Sequence, residues 1–311
     1  MQIYRTISEL SSVPGPVSLA IGVFDGLHVG HREVVDRAIE GAAREGGSAV
    51  VVTFDPHPAT ILRPDAAPRL LVSTPHKIRL FERAGLEHFL AVTFDHEFAA
   101  TPGRVFVERL VAECRPLKRI CVGEDWAFGK GRDGNVALLN ELGAIHHFEV
   151  EPVAAVCDSS GEPVSSTRIR RLVRSGELDE VTPLLGREFT VLGTVIEGRR
   201  LGRTLGFPTA NLRVHNEQLP PEGVYAVSVE LQGKSIGGVG NLGVRPTVEG
   251  EGAKKMLEVH LFEDVGDIYG EDMEVRFVSK LRDEKKFGGL DELKAQIEKD
   301  VRDAKARLGN D

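Results

Sequence analysis

The feature that most constrains the fold is a change of pattern near Leu185. Before it, short apolar β-branched runs alternate with stretches of helical spacing. After it, short strand-like runs follow one another, punctuated by glycine and proline. Residues 17–24 (VSLAIGVF) and 48–54 (SAVVVTF) are uninterrupted apolar runs of the kind buried in a parallel sheet. Residues 89–94 and 119–122 predict two more strands, and 145–157 one or two, broken at Pro152. Between them, residues 31–44 place Val34, Val35, Ala38, Ile39 and Ala42 on one helical stripe, and 75–84 and 104–114 also read as helices. Such alternation predicts βαβ units and a parallel sheet. A short helix over 178–185 then leads to a boundary near Gly186. Strands predicted at 189–196, 224–231, 235–239, 256–262 and 274–278 suggest a small antiparallel barrel. Leu290, Leu293, Ile297, Val301, Ala304 and Leu308 form the apolar stripe of a closing helix.

Composition bounds the chemistry. The 311 residues fit two domains. The formal net charge is −8, from 47 acidic and 39 basic residues, which argues against general nucleic-acid binding. Three cysteines, none in a C-x-x-C pair, argue against a disulfide framework or a thiolate zinc site and favour a reducing compartment. With no signal pattern and no apolar run near the roughly 18–20 residues of a membrane span, a cytoplasmic protein is expected.

Residues 22–31 (GVFDGLHVGH) follow the first strand and open the first helix. Ligands of open α/β sheets bind at strand carboxyl ends, and a helix N-terminus offers free N–H groups to an anion. Gly22, Gly26 and Gly30 allow close backbone approach, while His28 and His31 can set two imidazoles beside a polyphosphate, next to Phe24 and Asp25. Isolated loop histidines are more often structural; here two converge with three glycines and an acid at one predicted strand end. Residues 165–174 (SSTRIRRLVR) complement them. Ser165, Ser166 and Thr167 can cap a helix or donate to phosphate, and Arg168, Arg170, Arg171 and Arg174 supply guanidinium groups, unless they merely form a solvated basic face. Two further loops sit at strand ends: Thr53 to Pro58, where Phe54, Asp55, Pro56 and His57 could wall a flat ring, and residues 123–131, containing Asp125.

The second half has no G-x-x-x-x-G-K-[ST] loop. Instead residues 198–211 supply Gly198, Gly202, Arg203, Thr204, Phe207, Pro208, Thr209 and Asn211. Glycines permit a tight phosphate-facing loop, and the Thr209 hydroxyl with the Asn211 carbonyl suits Mg²⁺. Asn241 and Arg245 lie in a polar turn. Along residues 256–262, Glu258, His260 and Phe262 share one strand face, opposite Leu257, Val259 and Leu261. If the Glu258 face meets a ligand, Glu258 can act as a base; if it meets solvent, it is an ordinary strand acid.

Residues 28–31 resemble the H-x-G-H signature of nucleotidyltransferases, and 165–170 its S-S-T-x-I-R partner. With the FDG leader and TFDPHP, residues 17–185 resemble the adenylylation module of bacterial bifunctional riboflavin kinase/FAD synthetases. G-R-T-L-G-F-P-T-A-N, G-V-Y, N-x-G-x-R-P-T, E-V-H-L and D-x-Y-G, over residues 186–308, resemble the riboflavin kinase module of the same family. The resemblance implies a Rossmann-like nucleotidyltransferase domain over 1–185 and a riboflavin kinase barrel over 186–311. ATP, riboflavin and FMN would be substrates, with FAD the product and Mg²⁺ the metal, and no nucleic-acid or membrane partner is expected. His28, His31 and Arg170 would engage ATP with the glycines, serines and Thr167 around them, and Asp125 would lie at the adenine nucleotide. Thr209 and Asn211 would hold Mg²⁺, Glu258 would be the base for the ribityl hydroxyl, and Arg245 would lie near the flavin. Asp264 stands where the family usually has an aromatic, and residues 248–250 depart from its usual F-G. A single active module and a flavin sensor without turnover are the competing readings. Self-association is not legible.

Overall fold

The computed structural model describes residues 1–198, 206–216, 218–245 and 254–309, apart from the side chains of residues 244, 245, 254 and 255. The chain divides into two compact units, Met1–Pro68 with Thr74–Ser166, and Arg69–Ser73 with Thr167–Asp311.

The first unit is built on six strands: β1 (Gln2–Tyr4), β2 (Val17–Ile21), β3 (Ser48–Asp55), β4 (His88–Thr93), β5 (Leu117–Gly123) and β6 (Glu149–Val153). They pair in the order β1-β4-β3-β2-β5-β6, and every pairing is parallel. Strand order reverses between β2 and β5, so the carboxyl ends of these two strands flank the switch point where such sheets bind ligands. Every residue of β2 is buried, as its unbroken apolar run requires. The helices are α1 (Val29–Glu45), α2 (Pro58–Leu62), α3 (Thr74–Arg83), α4 (His96–Ala99), α5 (Gly103–Glu113) and α6 (Val136–His146). In α1 the stripe Val34, Val35, Ala38 and Ala42 is buried, and Gly46 ends the helix at φ 61°.

Two local expectations are corrected here. Ile145 and His146 close α6 rather than opening a strand. Pro152 lies inside β6 instead of breaking it, because β6 is an edge strand and its missing donor costs no ladder bond on the open side. β1, of only three residues, was not anticipated.

The second unit holds α7 (Ser166–Ser175, from Thr167 onward), α8 (Leu178–Leu185) and six further strands: β7 (Thr190–Ile196), β8 (Ala210–Val214), β9 (Gly223–Leu231), β10 (Lys234–Arg245), β11 (Lys254–Leu261) and β12 (Asp272–Arg282). They close an antiparallel barrel in the order β10-β11-β8-β7-β12-β9. The last helix, α9 (Leu290–Leu308), buries Asp300 and Ala304, with Val301 packed on a cluster that includes Val224, Ala226 and Val239. Leu290 stays exposed, so the expected stripe begins one turn later. Residues 241–245, expected as a turn, continue β10. The glycines there mark close packing: a Cβ on Gly240 would stand 2.9 Å from a Val227 methyl, and one on Gly238 would stand 2.6 Å from the His260 carbonyl oxygen.

Candidate active sites

The loop after β2 carries the first site. His28 is the N-cap of α1, with extended backbone, and its Nδ1 accepts the His31 N–H at 3.3 Å. The two imidazoles stack, with centroids 3.6 Å apart and planes 18° apart. The Phe24 ring meets His31 edge-on at 5.4 Å and Phe81 at 5.7 Å. A Cβ on Gly30 would stand 3.3 Å from the His28 ring, and one on Gly22 would stand 3.0 Å from that of Phe24. Both glycines therefore leave room for the rings. Phe24, Gly26 and Leu27 have φ of 51°, 87° and 44°, so the turn is left-handed at three positions, two of them not glycine. Asp25 is buried, and its carbonyl accepts the Ser166 hydroxyl at 2.9 Å.

Asp125 lies in the loop after β5, across the switch point; its Oδ1 would stand 3.3 Å from a Cβ on Gly123. Trp126 and Phe128 stack beyond it at 4.3 Å. The third loop places its residues differently. Phe54 is a core residue, 7% exposed, ringed by Phe94, Phe98 and Phe106. Asp55 ends β3 and lies 3.9 Å from Arg5, while His57 after Pro56 caps α2 by accepting the Ala59 N–H at 3.0 Å. Ser165 belongs to this unit with Ser166. Thr167 and Arg170 belong to the second, where the Arg170 Nε donates to the Arg69 carbonyl at 2.8 Å.

Sequence reasoning missed Lys77 here. It is 3% exposed, and its Nζ donates to the Val23 carbonyl at 2.8 Å. Burial pushes its pKa down, against the pull of Asp25 and Asp55. The available signal was a lysine on the apolar stripe of α3, where His76, Lys77, Leu80 and Phe81 are the buried residues.

The barrel carries the second site. In register, Asn211 of β8 stands opposite Glu258 of β11, and Glu258 opposite Asn241 of β10. Directly opposed residues share a face, so the three form a polar row. Leu257 and Val259 on the other face of β11 are fully buried, whereas Glu258 and His260 are partly exposed. The apolar face therefore fills the barrel, and the Glu258 face is the outer one. Asn211 is nevertheless only 6% exposed, and a side chain on Gly198 would overlap its amide. The Asn211 Oδ1 and Asn241 Oδ1 are buried acceptors with no partner among the described residues. A buried carbonyl oxygen left so is costly unless something else binds it. His260 Nδ1 donates to the Pro208 carbonyl at 2.8 Å, and its ring meets Phe207 at 5.4 Å, which pins the segment leading to Thr209. Thr209 borders a cavity of about 750 Å³, walled by Val195, Ala210, Val259 and Leu261 and by the turn 262–269 that includes Asp264. Gly202, Arg203, Thr204 and residues 248–250 lie outside the described residues, and Arg245 is described only in its backbone pairing with Lys254.

An anion-ready helix N-terminus at a switch point, and a barrel bearing a carboxylate beside amide oxygens that have no partner among the described residues, define a two-unit enzyme of phosphate chemistry. The FAD synthetase family matches residues 11–168 and the riboflavin kinase family residues 185–308. A bifunctional riboflavin kinase/FMN adenylyltransferase of Escherichia coli K12 is 38% identical over 312 residues, covering 99% of this chain and 98% of that one. Its counterpart in Haemophilus influenzae is 38% identical over 307 residues, covering 98% and 99%. A crystal structure described as a macrolide-efflux protein from Streptococcus pneumoniae superposes with a TM-score of 0.81 at 29% identity, over 98% of this chain and 99% of that one. The chain belongs to the bifunctional riboflavin kinase/FMN adenylyltransferase family. Among the described residues no helix is long and apolar enough to cross a membrane.

Proposed function

We propose that the chain converts riboflavin to FAD in two ATP-dependent steps, the kinase step at residues 186–311 and the adenylyl transfer at residues 1–185. The observation that carries the reading is the presence of two separate phosphate-directed constellations, each in the stretch that its own family matches.

In the kinase step Glu258 accepts the proton of the ribityl 5′-hydroxyl as its oxygen attacks the ATP γ-phosphorus. The bond to the β,γ-bridging oxygen breaks, and ADP and FMN result. Thr209 and Asn211 would hold Mg²⁺; the unpartnered Asn211 Oδ1 is the oxygen donor such an ion takes. When bound, the ion would offset charge on the phosphates. The cavity beside Thr209 has an apolar wall suited to a flat ring. Gly198, Gly202, Arg203 and Thr204 are read as the phosphate loop, and Phe207, Pro208, Asn241 and Arg245 as flavin neighbours.

In the adenylyl step a phosphate oxygen of FMN attacks the ATP α-phosphorus, and pyrophosphate leaves with the α,β-bridging oxygen. No protein nucleophile is needed. His28 and His31, with the α1 N-terminus, stabilise the charge that develops. Ser165, Ser166, Thr167 and Arg170 are read as further phosphate ligands on their motif, and Asp125 as a nucleotide contact. A cytoplasmic setting is inferred from three free cysteines.

The test is a time course with riboflavin, ATP and Mg²⁺, separating flavins by chromatography. FMN appearing first and FAD second supports both steps. FMN alone would leave the first unit without its assigned reaction, and binding without conversion would overturn the enzyme reading.

A further inference from the structure

We propose that Lys77 is a positioning residue for adenylyl transfer, its sealed ammonium group holding the turn 23–27 in the shape that sets His28 and His31 at the nucleotide phosphates. The assignment rests on the adenylylation reading of this unit.

The turn needs holding. Phe24 and Leu27 both sit at positive φ, where residues with bulky side chains are strained, and such backbone persists only when its surroundings over-determine it. Lys77 Nζ and Thr53 Oγ1 both donate to the Val23 carbonyl, at 2.8 and 3.0 Å. The Ser166 hydroxyl holds the Asp25 carbonyl from another side. Phe81, one helical turn beyond Lys77 on α3, meets the Phe24 ring edge-on, and Phe24 in turn meets His31. α3 thus grips the turn twice, once by charge-assisted hydrogen bond and once by ring contact, and the second grip leads straight to a site histidine.

The chemistry of the side chain points the same way. Lys77 and Thr53 are 3% and 0% exposed, so neither offers a surface to substrate, and their effect must pass through what they hold. Burying an ammonium is costly, and Asp25 and Asp55 are the carboxylates that offset it. A methionine would fill the same space with no charge to desolvate, so what the lysine adds is the donor and the charge.

The experiment measures both reactions on the full chain for wild type, Lys77→Met, Lys77→Arg and Thr53→Val. FAD formation from FMN and ATP gives kcat and KM, and riboflavin phosphorylation is the control for a folded chain. In Lys77→Met, kcat for FAD formation should fall roughly 10- to 100-fold, as expected when reacting groups are displaced by about an ångström, with KM for ATP and FMN little changed. Riboflavin phosphorylation should stay at the wild-type rate. Lys77→Arg should recover part of the loss, and Thr53→Val should show the same kcat effect in smaller measure. Wild-type kcat in Lys77→Met would overturn the proposal, as would a joint fall in both reactions that arginine does not relieve. If Lys77→Met does not fold, Thr53→Val decides: an unchanged kcat there overturns the proposal. A wild-type protein that formed no FAD would remove the adenylylation reading itself, and the proposal with it.

Discussion

Asn211 and Glu258 face each other across neighbouring antiparallel strands, and the Asn211 carbonyl oxygen is buried without a partner among the described residues. A carboxylate and an unsatisfied acceptor side by side repel each other unless a cation or donor comes between them. In the proposed kinase reading, a bound cation is what would come between them.

Replacing Glu258 by glutamine keeps the shape and removes the base. Riboflavin phosphorylation should fall about 10²- to 10⁴-fold, the usual worth of a positioned general base. FAD formation from supplied FMN should persist at the wild-type rate. Loss of both reactions in folded protein would contradict separate sites.

Asn211→Leu separates function from stability. It removes a buried acceptor that costs on the order of 1–3 kcal/mol when unpaired and supplies apolar volume instead. The variant should unfold no earlier than wild type in urea, yet lose most FMN formation and need more added Mg²⁺ for what remains. Earlier unfolding would mean that Asn211 holds the barrel together rather than serving a ligand.

How far this site could be read in the sequence depended on what each residue type signals. Glu258 and Asn211 were legible because oxygen donors stand out against an apolar strand. That they face one another was not, because residues 209–211 read as the tail of a Gly-rich loop and β8 went unseen. The face of Glu258 was also open: alternation gives two faces, and only the buried Leu257 and Val259 show which is inward. β10 looked shorter than it is because glycines imitate turns, although here they admit close neighbours. In the first unit the parallel sheet was legible from its apolar runs, and the H-x-G-H turn from its residue types. Lys77 was not, because lysine on a helix is read as solvated by default.

His28 does two things that substitution can divide. As N-cap its ring accepts the His31 N–H, a role that asparagine also fills. His28→Asn should therefore keep the unit's stability within about 1 kcal/mol while lowering FAD formation sharply, because the stacked imidazole is gone. His28→Ala should lose both. Equal FAD formation in His28→Asn and wild type would reduce His28 to a cap.

The three thiols should divide by burial. Burial pushes Cys114 and Cys121 up to about 12, whereas Cys157 is exposed. Native protein at pH 8 should react with a thiol reagent at Cys157 alone, and unfolded protein at all three. The sign for stability follows. The folded-state pKa values are raised above the ordinary 9.0, so the folded state binds more protons over that range. This stabilisation is fully present below pH 9.0 and is lost as pH rises toward about 12. Urea midpoints falling above pH 9.0 in wild type, and falling less in a Cys114→Ala, Cys121→Ala variant, would check it.

Asp300 and Arg282 join α9 to the barrel. The Asp300 side chain is 4% exposed and receives Arg282 Nε at 3.0 Å and Nη2 at 2.7 Å, with Gln296 Nε2 at 2.8 Å as a third donor. Arg282 also lies 5.7 Å from the centre of the Phe287 ring, just ahead of α9. Removing one partner of a buried pair leaves the other charged and unpaired, which typically costs about 3–5 kcal/mol. Asp300→Ala should destabilise by that order in chemical denaturation. Replacing both residues at once, as Asp300→Leu with Arg282→Met, should recover much of the loss, because a matched apolar pair desolvates no charge. If the double variant were no better than the single one, the bond would be contributing through the position of Phe287 rather than through charge.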